Sequence, residues 1–218
     1  MNKNKRWGIE PTNTDPVHVV LFISRKKDNK HIEGFTERRE SFITTWKNND
    51  PRLDNRFVAF CDNGYDNEVC RFYYSVNARD PELVRRELMK FLIDNPDFNL
   101  CSIESKLAGI AATAACATEK KWLFDFDVNS VDACVDFMSD VIQYSGLTAN
   151  DVKAYKTPNG FAVVVERGFD TRELMKKWQG KVELKRDDVL LIMWKDYDPV
   201  HPYHVSTMPE TWTEDVFK

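Results

Sequence analysis

The order of apolar and polar residues divides the chain into a polar start, two folded regions and a proline-rich end. The first folded region opens with a continuous apolar run rich in β-branched residues, which is typical of a buried strand. The second region alternates short strand patterns with helical ones. The predicted boundaries are an N-terminal arm at 1–16, an α/β subdomain at 17–119, a second subdomain at 120–195 and a tail at 196–218.

In the first region the pattern predicts three strands and three helices. Asp80 and Pro81 mark the start of the clearest helix, because Asp is a favoured N-cap and Pro a favoured first residue. The predicted strands cover 17–24, 56–60 and 71–77, the last two around a turn. The other two predicted helices cover 35–50 and roughly 102–117.

The second region predicts the order strand, helix, strand, strand, helix, strand. Pro158-Asn159-Gly160 between two apolar runs indicates a hairpin turn. This is the order of a ferredoxin-like or RRM-like βαββαβ fold, whose first and third strands lie side by side. We therefore expect an α+β protein in which the strand ending at Asp127 neighbours 161–166, with the N-terminal α/β region packed on this unit. One strand or a hairpin at 182–194 is expected to close it.

Composition narrows the class of protein without indicating a function. The 218 residues include 31 basic and 35 acidic side chains. This balance argues against a protein that binds nucleic acid through bulk positive charge alone. No apolar run approaches the roughly 20 residues of a membrane span, and the N-terminus lacks a signal-peptide pattern. The five cysteines lack metal-binding spacing and the four histidines form no ligand motif, which favours reduced thiols in a cytoplasmic protein.

Two aspartates in a predicted strand are the sharpest chemical feature. Asp125 and Asp127 flank one aromatic residue, and the strand period of two places both carboxylates on one face, about 7 Å apart. Two hard oxygen ligands on one face suit Mg²⁺ or Mn²⁺. The alternative is a pair of solvent-facing residues at a strand end. Asp187, Asp188 or Glu166 is the expected third carboxylate, unless the first two belong to a charged hairpin tip.

Basic and polar residues at three places are candidates for binding phosphate or bases. For phosphate they are Arg25, Lys26 and Lys27 after the first strand, and Lys156, Thr157, Asn159 and Gly160 in the turn. For a nucleic-acid strand they are Arg71, Tyr73 and Arg79. The alternatives are an ordinary turn, and a strand with core aromatics and arginines at its rim.

The unit that combines these features resembles the archaeo-eukaryotic primase superfamily, which includes primase-polymerases. The resemblance rests on a strand ending in hydrophobic-Asp-hydrophobic-Asp and on the later small-polar-Asn-Gly-aromatic turn. The chain is also similar to short phage-encoded primase-like proteins, which share an SRKK stretch and a TPNG-aromatic turn. The main part of the similarity covers roughly 120–195, and the N-terminal half matches only in general layout. It implies that Asp125 and Asp127 bind divalent metals, that Asp187 or Asp188 completes the site, and that the reaction is nucleotidyl transfer on a single-stranded template.

One position departs from that resemblance. The superfamily places a His two residues after the Gly, where it contacts the phosphates of the incoming nucleotide, and here that position is Ala162. Either Lys156, Arg25 or another cation replaces the His, or the protein is an inactive nucleic-acid-binding or phage accessory protein. A metal-dependent nuclease is a third interpretation. The expected partners are single-stranded nucleic acid and nucleotides, with a replication protein as a candidate partner of the C-terminal tail and no membrane.

Overall fold

A computed structural model describes residues 15–198 and 200–206, and these form two antiparallel sheets and five α-helices, which confirms the expected α+β class. Most of the predicted arm and the end of the tail, with MPETWTEDVFK, lie outside the described residues. The strands are β1 (His18–Ser24), β2 (Arg38–Thr44), β3 (Cys70–Ser75), β4 (Trp122–Phe126), β5 (Val152–Lys156), β6 (Phe161–Val165), β7 (Val182–Arg186), β8 (Val189–Lys195) and β9 (Tyr203–Val205). The helices are α1 (Pro51–Asp62), α2 (Pro81–Asp94), α3 (Ile103–Ala111), α4 (Val131–Ser145) and α5 (Arg172–Lys177).

The first sheet has the strand order β2-β1-β3-β8-β9. Successive side chains of β1 point to opposite faces. Val20 and Phe22 pack with α1 in one core cluster, whereas Val19 packs with Val84 of α2 and Ala108 of α3 in another. The sheet is therefore covered by α1 on one face and by α2 and α3 on part of the other.

The second sheet has the strand order β5-β6-β4-β7, and all its pairs are antiparallel. The expected neighbourhood of β4 and β6 is confirmed. Phe124 and Phe126 of β4 face outward from the first sheet and pack on Phe137 of α4 and Trp178 beside α5. The alternate residues Leu123 and Asp125 then face the first sheet.

The last expected element of the second subdomain is divided between the two sheets. β7 pairs with β4, but β8 pairs with β3 and β9 of the first sheet. Arg186 between them has φ of 52°. The predicted single strand or hairpin at 182–194 is therefore wrong, and the expected 120–195 unit contributes its last strand to the first sheet. Leu190 and Ile192 of β8 share a core cluster with Leu123 and Val164, which joins the two sheets.

Two predicted elements of the first region are also wrong. The predicted helix at 35–50 contains β2, which pairs with β1 residue by residue, for example Phe42 with Val20. The predicted strand at 56–60 lies inside α1, whose buried residues Leu53, Phe57, Phe60 and Cys61 have helical spacing. A window of five residues was too short to distinguish the periods of helix and strand.

The predicted start of α2 is confirmed. The Asp80 side chain accepts hydrogen bonds from the backbone N–H groups of Glu82 and Leu83 at the start of α2. Gly146, with φ of 64°, ends α4 in the left-handed conformation that favours glycine. Among the described residues, no helix is long and apolar enough to cross a bilayer.

Candidate functional site

A cleft of about 420 Å³ lies where β3 and β8 of the first sheet approach the inner face of the second sheet. Its lining is contributed by both sheets and by the two loops that carry the SRKK and TPNG sequences. The residues that line it are Arg25, Lys27, Arg71, Tyr73, Leu123, Asp125, Asp127, Thr157, Pro158, Asn159, Ala162, Glu183, Lys185, Asp188, Val189 and Leu191. The fold thus brings together residues that are far apart in the chain.

Asp125 occupies the centre of the cleft floor because β4 is an inner strand. Its cross-strand partners are Ala162 on β6 and Glu183 on β7. Asp127 follows the last residue of β4 on the same face and is exposed. Glu183 and Lys185 are not among the residues predicted from the sequence, although their period-two spacing in VELKR was the available signal. Combining that spacing with the strand order would have placed both beside Asp125.

The carboxylates of the floor repel one another. Burial first, and then the charges of Asp127, Glu183 and Asp188, raise the pKa of Asp125, and Lys185 partly opposes this. Burial also raises the pKa of Asp188, with further contributions from Asp187 and Glu183. Lys185 pairs with Glu183 at 2.5 Å. The floor is therefore rich in negative charge that one lysine neutralises only in part.

The two aspartates that precede β8 have different surroundings. Asp188 lines the cleft. Asp187 accepts hydrogen bonds from both terminal nitrogens of Arg79, at 2.6 and 2.9 Å, and from the Asn77 amide at 2.9 Å. Of the three candidates for a third carboxylate, the structure brings Asp188 to the site and assigns Asp187 to an ion pair.

The wall opposite the carboxylates is basic. Arg25, Lys27 and Arg71 line it. Asp28 accepts from Arg25 at 2.7 Å and from Arg71 at 3.1 and 3.2 Å, and so holds the two guanidinium groups side by side. Among the described residues, Lys27 has no ion-pair partner in the protein, which leaves its charge available to an anion.

Polar and aromatic side chains complete the rim. Tyr73 lies on the same face of β3 as Arg71, and Thr157 and Asn159 come from the turn between β5 and β6. Gly160 in that turn approaches the end of β4 closely, since a Cβ there would lie 2.1 Å from the Phe126 carbonyl oxygen. Gly160 is thus required by packing, and it fixes the turn next to Asp127.

Four other predicted residues lie away from the cleft. Arg79 is 2% exposed, so a nucleic-acid strand does not reach it, and its predicted binding role is corrected to a structural one. Lys156 donates to Asn129 and lies over the Phe161 ring. Lys26 is exposed outside the cleft lining. Glu166 pairs with Lys121 at 3.5 Å and lines a separate, smaller cleft.

A divalent cation is compatible with the donors on the cleft floor. Over residues 15–198 and 200–206, no group of three His, Cys, Asp or Glu side chains is placed to hold a metal ion alone. Mg²⁺, however, is commonly bound through one or two carboxylates, with water and substrate phosphates as its other ligands. Asp125 and Asp127 supply such a pair, and a cation between them would relieve the repulsion that contributes to the raised pKa of Asp125. The donor chemistry therefore fits.

Comparison of the chain with protein-family models, with curated proteins and with solved structures finds no match. The chemistry of the cleft is thus the basis for a functional assignment.

Proposed function

We propose that the protein is a metal-dependent nucleotidyltransferase of the primase-polymerase type, acting on a single-stranded nucleic-acid template. The observation that carries the proposal is the pairing, within one cleft, of an acidic floor with a basic wall. A polyphosphate needs cations around it, and transfer of a nucleotidyl group needs carboxylates that hold divalent metal near the reacting phosphate. A cleft that served only to bind phosphate would have no use for Asp125, Asp127, Glu183 and Asp188.

The fold supports the same proposal. The strand order β5-β6-β4-β7, with a helix between β4 and β5 and another between β6 and β7, is the order of a ferredoxin-like palm. The aspartate pair lies on the inner strand of that sheet, and the TPNG turn lies beside it. The sequence resemblance to the primase superfamily implies both placements.

Each part of the cleft has a role under this proposal. Asp125 and Asp127 would hold Mg²⁺ or Mn²⁺, which supplies charge neutralisation at the phosphates, with Asp188 in reach of the same substrate. Arg25, Lys27 and Arg71 bind the triphosphate or the template backbone through charge-assisted hydrogen bonds. The Thr157 hydroxyl and the Asn159 amide donate to phosphate oxygens at the rim.

The test is incorporation of labelled nucleotide on a single-stranded template with Mn²⁺. We expect the double variant Asp125→Asn, Asp127→Asn to abolish incorporation and to keep the fold. The matched control is Asp97→Asn, Asp136→Asn, which makes the same chemical change at two exposed positions outside the cleft. Incorporation by the Asp125, Asp127 variant at the wild-type rate would refute the proposal.

A second candidate is favoured by one observation. Ala162 stands directly across from Asp125 and lines the cleft, where it provides no hydrogen-bond donor to a phosphate. This favours a protein that binds single-stranded nucleic acid without polymerising nucleotides. The same assay distinguishes the candidates: extension supports the transferase, cleavage supports a nuclease that uses the same carboxylates, and salt-sensitive binding alone supports the non-catalytic protein.

A further inference from the structure

The first sheet leaves part of one face uncovered beside the cleft. Helices α2 and α3 cover Val19 at one end of β1, but Leu21 and Ile23 at the other end are only half-buried. A groove of about 560 Å³ lies there between β1, β2 and α3. Its lining includes Leu21, Arg39, Ser41, Gly109, Asp188 and Val189.

The groove is continuous with the candidate active-site cleft. Asp188 and Val189 line both. The strand register connects them as well, because Leu21 pairs with Ser41 on one side and with Tyr73 on the other. Ile23 pairs in the same way with Arg39 and with Arg71. Two rows of side chains therefore run from the groove across three strands to the cleft, about 4.7–4.9 Å from one strand to the next.

The chemistry of these rows suits a single nucleic-acid strand. One row has arginines at both ends with an isoleucine between them, and the other ends in Tyr73 at the cleft. Arginines bind phosphates, whereas aromatic and apolar side chains accept the flat faces of bases. Among the described residues, the Arg39 side chain makes no hydrogen bond or ion pair, and the residue is exposed. Its charge is therefore free for an external anion.

We propose that this face of β2, β1 and β3 is the track along which a single-stranded nucleic acid passes into the cleft. The inference rests on the proposed function for the direction of travel, but binding to the track needs neither metal nor nucleotide. The occupant is a single strand, since alternating cationic and apolar positions on an open sheet face contact backbone and unpaired bases together.

Gly109 allows the groove to be blocked without disturbing the core. A Cβ at Gly109 would meet nothing within 4 Å, and the residue is exposed on α3. Gly109→Trp therefore projects a large side chain into the groove. Gly109→Ala is the matched control, because it stabilises the helix and leaves the groove open.

The experiment measures binding of a fluorescein-labelled oligothymidylate, and of its oligouridylate counterpart, by anisotropy over a range of salt concentrations in EDTA. We expect Arg39→Ala to weaken binding about three- to tenfold and to lower the salt slope by about one, as loss of one phosphate contact predicts. We expect Gly109→Trp to weaken binding by about tenfold or more, through loss of base contacts. Gly109→Ala and Arg167→Ala, an exposed arginine beyond the far end of β6, should bind as the wild type does.

Equal binding by Arg39→Ala, Gly109→Trp and the wild type would overturn the track. Competition by a blunt duplex as effective as that by the single strand would also overturn it, because the occupant would then be a double helix. The two proposals fail separately. Incorporation of nucleotide with unaltered binding by both variants rejects only the track, whereas weakened binding without incorporation by the wild type rejects only the transferase.

Discussion

Arg79 and Asp187 form a two-point ion pair that fastens the segment after β3 to the turn between β7 and β8. The arginine is 2% exposed, and its backbone also exchanges two hydrogen bonds with Val17. Because Asp187 precedes Asp188, the pair holds in place the residue that lines the cleft. The buried Arg79 therefore helps to position a residue of the candidate site.

Removal of the arginine should therefore destabilise the protein strongly. Arg79→Ala leaves the Asp187 carboxylate without its main partner, and breaking a buried pair in this way is expected to lower the free energy of unfolding by about 3–5 kcal/mol. Urea denaturation followed by circular dichroism measures the change. Arg86→Ala, on the exposed side of α2, is the control and should change stability by less than about 0.5 kcal/mol. A loss for Arg79→Ala as small as that of the control would show that the pair is not structural.

The neighbouring aspartates should separate function from stability. Asp187→Asn weakens the contact with Arg79 and is expected to lower the melting temperature. Asp188→Asn removes a charge whose pKa is raised chiefly by burial, so it should keep or raise the melting temperature while reducing nucleotide incorporation. Thermal melting and the incorporation assay, run on both variants, measure the two effects. The reverse pattern would contradict the assignment of Asp188 to the cleft.

The acidic floor predicts a pH-dependent gain in stability for Asp125→Asn in metal-free buffer. Since burial and then Asp127 raise the pKa of Asp125, its folded form binds a proton more tightly than the unfolded chain does. Ionised Asp125 therefore lowers stability at neutral pH, and this penalty vanishes as the pH falls below the ordinary carboxyl pKa of 3.8. Unfolding at a series of pH values should show Asp125→Asn more stable than wild type near neutrality and equal to it in acid. A gain that persists below that pKa would argue against this origin.

Divalent metal should reverse the order of stability of the wild type and Asp125→Asn. Mn²⁺ bound by Asp125 and Asp127 in the folded state alone must raise the melting temperature of the wild type. The Asp125→Asn variant should show a smaller rise, and the Asp97→Asn, Asp136→Asn control should follow the wild type. Equal shifts in all three proteins would place the metal elsewhere.

Gly160 is expected to tolerate no side chain. In Gly160→Ala the new Cβ would lie 2.1 Å from the Phe126 carbonyl oxygen and 3.0 Å from the Val128 nitrogen, both of them backbone atoms. Either the turn or the end of β4 must move, so we expect a loss of about 1–3 kcal/mol together with reduced incorporation. Gly109→Ala, where a Cβ meets nothing, should instead stabilise the protein by up to about 1 kcal/mol. Chemical denaturation compares the two, and similar effects would contradict the packing argument.

Local signals predicted the positions of individual turns and helix starts well. Asp80 and Pro81 began α2, and the Pro158-Asn159-Gly160 turn lay between β5 and β6, as expected. These features depend on hydrogen bonds and backbone conformations within a few residues, which adjacent residues specify. The aspartate pair on one face of β4 follows from the strand period in the same way.

The first half was predicted less well because its signals conflict locally. Phe35, Phe42, Ile43 and Trp46 have a spacing compatible with a helix, yet pairing with β1 makes the segment from Arg38 to Thr44 a strand. The segment 56–60 is apolar enough for a strand, yet its extension back to Leu53 buries one helical face. Tertiary contacts decided both cases, because Phe42 and Phe57 are buried together with Phe22 in one core cluster.

The sequence by itself determined most of the candidate site residues and the local elements on which they lie: an aspartate pair, a glycine turn and a basic loop. Only the tertiary structure decided which residues meet. It placed Asp188 in the cleft and paired Asp187 with Arg79, which is buried. It also brought Glu183 and Lys185 beside Asp125. The physical reason is that β8 pairs with β3 of the first sheet and not with a strand of the second sheet. Such long-range pairing depends on the packing of the whole core.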